Sequence, residues 1–263
     1  MLDITNVHKT FFAGTVNERV ALKEINLSLT PGEFVTVIGS NGAGKSTVLN
    51  ITSGKLRPDT GTVRIDGNDV TKLADHQRAK FIGRVFQDPM AGTSPDMTIE
   101  QNMSMAYERG KTRGLAPGVT KKKRDFFQEE LKSLELGLEN RLKAKVGLLS
   151  GGQRQALSLL MATFSSPKIL LLDEHTAALD PQRADLVSRL TAEVVERHQL
   201  TTLMVTHNME QALRLGSRLI MMHEGRIILD IGQEQKRKTT VQDLLHEFEK
   251  IKGGALDDRT MLQ

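Results

Sequence analysis

Cysteine is missing from all 263 residues, which excludes disulfides and thiolate zinc sites and is consistent with a reducing compartment. Tryptophan is missing too, and Tyr107 is the single tyrosine, too few rings for a base-stacking platform, so nucleic acid is not expected as a partner. No apolar run approaches the roughly 18 residues that a membrane span needs. Met1-Leu2-Asp3 opens without a basic and then apolar leader, so no secretory signal is expected. A strong excess of one charge is also lacking: 36 Lys and Arg face 32 Asp and Glu, for a net charge of +4 and a pI near 9.3. That mild basic bias suits an anionic ligand or membrane surface and is too small to argue nucleic acid by itself. With 38% apolar residues, the chain can bury a substantial core in one large or two small domains.

What the chain has is glycine at chosen places. Gly39-Ser40-Asn41-Gly42-Ala43-Gly44-Lys45-Ser46-Thr47 fits the phosphate-cradling pattern G-x-x-x-x-G-K-[ST]. A nucleoside triphosphate packs several negative charges into a few ångströms. Gly39, Gly42 and Gly44 let successive backbone N–H groups converge on it, and Lys45 adds a positive charge for the β- and γ-phosphates. Ser46 offers a hydroxyl to Mg²⁺, and the helix opening near Gly44 adds its positive end. The context agrees: Phe34–Ile38 reads as a buried strand and Thr47–Thr52 as helix, with Gly54 as its stop. A ligand-free turn needs neither the lysine nor the hydroxyl.

The remaining elements place this loop in a larger frame. Residues 1–30 read as a hairpin around Ala13–Asn17; Phe11 and Phe12 close its first strand, and either ring can stack on adenine or pack at a core edge. Pro31-Gly32 turns the chain into the Gly39 strand. Gly61–Gly67 and Phe81–Phe86 read as further strands, the latter ending at Gln87-Asp88-Pro89. Strands alternating with helices around such a loop predict a mostly parallel α/β sheet. Residues 88–150 change texture: Ile99–Ala106 and Phe126–Leu138 carry helical spacing around the loop Gly110–Gly118, so the segment reads as a helical insertion. Its basic run Lys121-Lys122-Lys123-Arg124 is expected to be a solvated helix start, with anionic lipid as the competing reading. Leu149-Ser150-Gly151-Gly152-Gln153 opens another helix, with Ser150 as its N-cap and Ala156, Leu157, Leu160, Met161 and Phe164 on one apolar face.

Ile169–Leu172 is an apolar strand that runs straight into Asp173 and Glu174. Strand ends in open α/β sheets are where ligands bind. Adjacent carboxylates there are costly without a cation, so Asp173 is expected to hold Mg²⁺ and Glu174 to polarise an attacking water. Thr201–Thr206 is the next buried strand; His207 follows it at the same kind of end and is expected to contact a γ-phosphate. Ser217–Ile231 reads as a hairpin across Glu224-Gly225. Val241, Leu244, Leu245 and Phe248 make a short amphipathic tail helix expected to pack on the core, and 252–263 are expected to fray.

In this order the motifs resemble the ATP-binding subunits of ABC transporters, over about residues 1–232. The combination of Gly39–Thr47, the signature Leu149–Gln153 and the strand Ile169–Asp173 is far more specific than the phosphate loop alone. The resemblance implies a P-loop NTPase core of ABC-ATPase type (1–87 and 151–232) with an N-terminal antiparallel β subdomain, a helical signature subdomain (88–150) and a short tail (233–263). It implies ATP held by Phe11, Gly39, Asn41, Gly42, Ala43, Gly44, Lys45, Ser46 and Thr47, with Phe11 rather than Phe12 stacking on the base. Mg²⁺ would be arranged by Ser46, Gln87 and Asp173, and hydrolysis carried by Glu174 and His207 together with Lys45 and Gln87. Ser150, Gly151, Gly152 and Gln153 of a second, head-to-tail copy would complete the phosphate cage beside the D-loop Asp180. A membrane permease would dock near Gln87 and residues 88–107, holding the subunit peripherally at the cytoplasmic face of the membrane, with an extracytoplasmic substrate-binding protein in the complex.

Three departures stand out. His175 occupies a position where many relatives have proline and is expected to alter the turn after Glu174. Phe11 replaces the commoner tyrosine, and Ala156 and Met161 replace frequent arginines. The run Gly152–Met161 resembles ATPases that serve uptake of amino acids or similar small solutes. An exporter or lipoprotein-extraction ATPase uses the same catalytic residues and is the alternative. A soluble ABC ATPase acting on ribosomes or DNA fits less well, because the chain has one cassette and only about 100 residues, without sustained heptads, between loop and signature. The solute itself is specified elsewhere than in this chain.

Overall fold

Two alternating apolar segments separated by a polar loop make the first element. β1 (Leu2–Phe11) and β2 (Arg19–Leu29) pair antiparallel, with Leu2 opposite Leu29 and Phe11 opposite Arg19. The computed structural model describes residues 1–111 and 117–260, with side chains as far as Lys250. β3 (Phe34–Gly39) runs through the glycine-rich turn into α1 (Lys45–Ser53), and β4 (Thr60–Ile65) and β5 (Asn68–Asp69) complete a four-stranded antiparallel sheet in the order β2-β1-β4-β5. Next come α2 (Asp75–Arg78), β6 (Ile82–Val85), α3 (Ile99–Tyr107), α4 (Lys121–Lys132), α5 (Gly151–Thr163), β7 (Ile169–Asp173), α6 (Pro181–Arg197), β8 (Thr202–Val205) and α7 (Met209–Arg214). The hairpin β9 (Arg218–His223) and β10 (Arg226–Ile231) leads to α8 (Gln233–Lys238) and α9 (Val241–Thr260).

The second sheet has six strands in the order β10-β9-β3-β8-β7-β6, parallel from β9 to β6, with β10 added antiparallel. Its central strands read as unbroken apolar runs because both faces are covered. Along β7, Ile169 and Leu171 join α1 and the antiparallel sheet in one core, while Leu170 and Leu172 join α5 and α6 in another. Full burial of each such leucine is worth about 1.5–3 kcal/mol. Among the described residues, no helix is long and apolar enough to cross a membrane.

The insertion departs from expectation at its second helix. Spacing predicts 126–138, but α4 spans Lys121–Lys132. The basic run hides the true start: Thr120 caps it by accepting from the Lys123 N–H, and Lys123 pairs with Glu108 at 2.8 Å and Arg124 with Glu100 at 2.7 Å. Lys121 and Lys122 remain solvated. Past Lys132, Glu135 (φ 54) and Gly137 (φ 67) are left-handed, and Leu138–Asn140 forms a separate short 3₁₀ turn. The expected loop 110–118 falls partly on 112–116, outside the described residues. In the tail, Leu244 is buried and Phe248 packs with it against Ile38 and Ala212, but Leu245 is exposed; it sits on the flank of α9 that faces water. The expected fraying of 252–263 falls on residues outside the described side chains.

Two buried cations fasten segments together without a carboxylate. Arg78 is fully buried and donates to Ile51 O (2.7 Å), Thr52 O (2.9 Å), Leu73 O (3.0 Å) and Thr71 O (3.0 Å), so it caps the end of α1. Lys236 of α8 reaches under the end of α7, where its Nζ donates to Leu215 O, Gly216 O and Thr36 Oγ1. Burial pulls its pKa down to about 8.

Candidate functional site

The site forms where β3, β7 and β8 end on one edge of the parallel sheet. A cavity of about 230 Å³ lies over the start of α1, lined by Phe11, Arg19, Ala21, the loop Asn41–Thr47 and Glu174. The loop bends there because Gly44 adopts φ 101, a left-handed value. A Cβ at Gly44 would also lie 2.6 Å from Ala21 O and 2.7 Å from a Leu22 methyl. Gly39, at the end of β3, packs against the Met222 carbonyl with no room for a side chain. Lys45 is buried, and its Nζ donates to Gly39 O (2.7 Å) and Ser40 O (3.0 Å). Desolvation lowers the pKa of this amine, and the charge of Glu174 opposes that shift. The Ser46 residue is exposed at the helix start. Phe11 rims the same cavity, whereas Phe12 is 69% exposed and turned to solvent.

At the end of β7 the two carboxylates face different partners. Asp173 accepts from Arg84 Nη2 at 2.9 Å, and Arg84 also donates to Asn50 Oδ1 (3.0 Å) and Ser53 Oγ (3.1 Å) on α1. Glu174 adopts φ 43, a left-handed conformation that costs about 1–3 kcal/mol and tends to mark functional turns. Its N–H donates to Val205 O (2.9 Å), and its carboxylate lies 3.5 Å from Nδ1 of His207. Glu174 and His207 also line a second cavity of about 490 Å³ with Thr176, Leu179, Asp185 and Arg214.

A polar network behind these ends was not legible in the sequence. Gln211 donates to Ser188 Oγ (2.7 Å) and Thr176 Oγ1 (3.1 Å) and accepts from Thr206 Oγ1 (2.8 Å). It thereby ties the residue before His207 to the turn after Glu174 and to α6. His175 does not face the site. It is buried against α6, with Nε2 2.9 Å from Thr191 Oγ1. Because that hydroxyl donates to Val187 O (2.7 Å), the ring nitrogen must be the donor, which leaves Nδ1 as a buried lone pair without a partner. No cluster of three or more potential metal ligands exists among the described residues.

Burial lowers the pKa of His175 to about 4, below the ordinary 6.5. The folded state therefore holds the neutral ring, and the unfolded chain takes up a proton first as pH falls. This contribution to stability is present above about pH 6.5 and is lost progressively toward pH 4, amounting to about 2–3 kcal/mol by pH 4.5. Thermal melts at pH 7.5 and 4.5 should show a larger drop for the native chain than for His175→Gln. Equal drops would mean that the ring is not the titrating group.

Of the residues singled out in the sequence, Phe11, Asn41–Thr47 and Glu174 line one cavity, with Gly39 beneath the loop and His207 beside Glu174. Asp173 is engaged by Arg84. Gln87 lies two residues past β6, exposed. Ser150 and Gln153 satisfy each other in a capping box at the start of α5 (Ser150 N–H to Gln153 Oε1, 3.1 Å; Gln153 N–H to Ser150 Oγ, 3.3 Å). Gly151 packs on Leu179 and Gly152 on Arg183, next to Asp180, whose carboxylate caps α6 through the Arg183 N–H (3.1 Å). None of the signature residues lines the Lys45 cavity within this chain.

A family profile described as "ABC transporter" matches residues 22–177. A tyrosine transport ATP-binding protein of Clostridioides difficile is 44% identical over 249 residues, covering 95% of this chain and 99% of that protein. The methionine import ATP-binding protein MetN of Halalkalibacterium halodurans is 32% identical, covering 100% and 80%. The lipoprotein-releasing system ATP-binding protein LolD of Geobacter metallireducens is 35% identical, covering 88% and 99%. Among solved structures, the dimeric post-hydrolysis state of the ATP-binding cassette MJ0796 bound to ADP and Pi superposes with a TM-score of 0.75 at 33% identity, covering 89% of this chain and 99% of that one.

Proposed function

The chain belongs to the ABC transporter family as an ATP-binding, ATP-hydrolysing subunit, and on that premise we propose that it powers uptake of tyrosine or a related amino acid through a membrane permease. The observation that carries the chemical part is the single cavity shared by Phe11, the glycine-rich loop and Glu174. The observation that favours amino-acid uptake is the near full-length likeness to a tyrosine transport ATP-binding protein.

Each residue then has a task. Phe11 stacks on the adenine, the N–H groups of 41–47 converge on the phosphates, and Lys45 gives up its two carbonyl partners to neutralise them. The ammonium thereby exchanges neutral carbonyl acceptors for anionic phosphate oxygens, which attract it more strongly. The donor set fits Mg²⁺, a hard cation that prefers oxygen: Ser46, Gln87 and Asp173 would hold it, with Arg84 releasing the Asp173 carboxylate. When bound, the metal neutralises charge on the β- and γ-phosphates. Glu174 takes the proton of the attacking water, and His207, 3.5 Å away, braces that carboxylate and contacts the γ-phosphate. Because the signature residues stand outside this cavity in their own chain, Ser150, Gly151, Gly152 and Gln153 of a second copy complete the cage, so that nucleotide joins two cassettes and hydrolysis parts them. Residues 87–107 carry that motion to the permease at the cytoplasmic face of the membrane.

A mild-detergent pull-down from native membranes with mass spectrometry tests the reading. The expected outcome is a polytopic permease together with an extracytoplasmic amino-acid-binding protein. A permease without a binding protein would favour the lipoprotein-release reading that the likeness to LolD supports, and no membrane partner at all would overturn both.

A further inference from the structure

We propose that Arg19 is a second phosphate-binding cation of the nucleotide cavity that Lys45 also lines. The inference rests on the reading of this cavity as the nucleotide site, and four observations carry it.

The first is register. Arg19 is the cross-strand partner of Phe11 at the end of the β1–β2 hairpin, and directly opposed residues project to the same side of a sheet. Both side chains line the cavity, so the hairpin presents a ring and a guanidinium side by side at its mouth. The second is contact with the loop itself. Arg19 Nη2 donates to Gly42 O at 3.1 Å. A Cβ on Gly42 would overlap this nitrogen, and Gly42 (φ 80) also has a left-handed backbone. Glycine there keeps the arginine's place open.

The third is the lack of a partner. Arg19 forms no ion pair with a carboxylate among the described residues, unlike Arg84, Arg124, Arg183, Arg214 and Arg218. Its neighbour Glu18 is turned away, accepting from the Gly14 N–H. The fourth is the donor count. A guanidinium carries five N–H donors in a planar fork that matches two phosphate oxygens at once. One hydrogen bond to Gly42 O leaves the rest of the fork free, at the edge of a cavity where backbone N–H groups and Lys45 already favour an anion. A bracing role alone would use one neutral acceptor and leave the charge idle.

The test is a competition titration of a fluorescent ATP analogue by adenosine, ADP and ATP, on Arg19→Ala, Arg19→Gln and Arg19→Lys. Loss of a charge-assisted contact should weaken ATP and ADP by about 10-fold in Arg19→Ala and leave adenosine unchanged. Arg19→Gln keeps a donor for Gly42 O but no charge, and should resemble Arg19→Ala; Arg19→Lys should fall between it and the native chain. Native ATP affinity in Arg19→Ala and Arg19→Gln would overturn the inference. So would an equal loss for adenosine and ATP, which would make Arg19 a support of the hairpin. Phe11→Ala and Lys45→Ala, titrated in parallel, separate the two levels. If they weaken ATP and the Arg19 variants do not, only the role of Arg19 fails; if they too bind ATP like the native chain, the nucleotide-site reading fails.

Discussion

Replacing Glu174 by glutamine is expected to lower ATP turnover by about 10²–10⁴-fold, the usual worth of a positioned general base, while ATP binding persists. The substitution keeps the shape and the left-handed turn, and removes only the group that accepts a proton. The N–H to Val205 O bond and the loop around Lys45 do not depend on that charge. Because the phosphate cage survives, the bound nucleotide should hold two cassettes together. Size-exclusion chromatography should then show a dimer with MgATP and a monomer with MgADP, run with permease present where the isolated cassettes associate weakly. A variant that stays monomeric and turns ATP over normally would remove Glu174 from the proposed role.

The second large effect is structural. Arg78→Ala should cost about 3 kcal/mol or more, because the buried carbonyls of Ile51 and Thr52 and the part-buried ones of Thr71 and Leu73 lose the guanidinium, and each buried acceptor left unsatisfied costs about 1–3 kcal/mol. For a chain of this size that corresponds to a fall in Tm of roughly 6–12 °C. The loss should also reach ATP affinity, since Ile51 O and Thr52 O belong to the last turn of α1, the helix that begins at Lys45. Arg78→Lys should recover little: one ammonium offers three donors from a single point and cannot span carbonyls at 51, 52, 71 and 73. Calorimetry of the three proteins settles the point; an alanine variant that melts with the native chain would show that relaxation or water replaces the guanidinium.

Both residues illustrate what a sequence tells and withholds. The strand before Gly39, the helix after it and the strand into Asp173 were legible because each carries its own signal: an apolar run of strand length, a lysine and hydroxyl behind glycines, a run ending in acid. The β1–β2 and β9–β10 hairpins were legible from alternation around a turn. What stayed hidden depends on partners distant in sequence. Arg78 reads as one more charged residue until Ile51, 27 positions earlier, supplies its acceptor. Arg84 meets Asp173 across 89 positions, and Gln211 meets Thr176 across 35. The start of α4 was hidden for another reason. Four cations at a helix N-terminus oppose its dipole, and only tertiary pairing with Glu100 and Glu108 makes that start tolerable. Leu245 shows the limit of spacing arguments, since 244 and 245 cannot both face the core of a helix that packs along one stripe.

The lysine of α8 has a practical consequence for anyone trimming the chain. The last strand ends at Ile231, which invites a cut just after it. Such a cut would delete Lys236 and strip the donor from Leu215 O and Gly216 O, at the end of the helix whose first turns carry Gln211. The shortened protein would keep every side chain proposed for catalysis and lose the peg that seats α7. Its activity would then report on a displaced Thr206–His207 segment instead of on the native enzyme, so the working boundary of this cassette lies beyond its last strand.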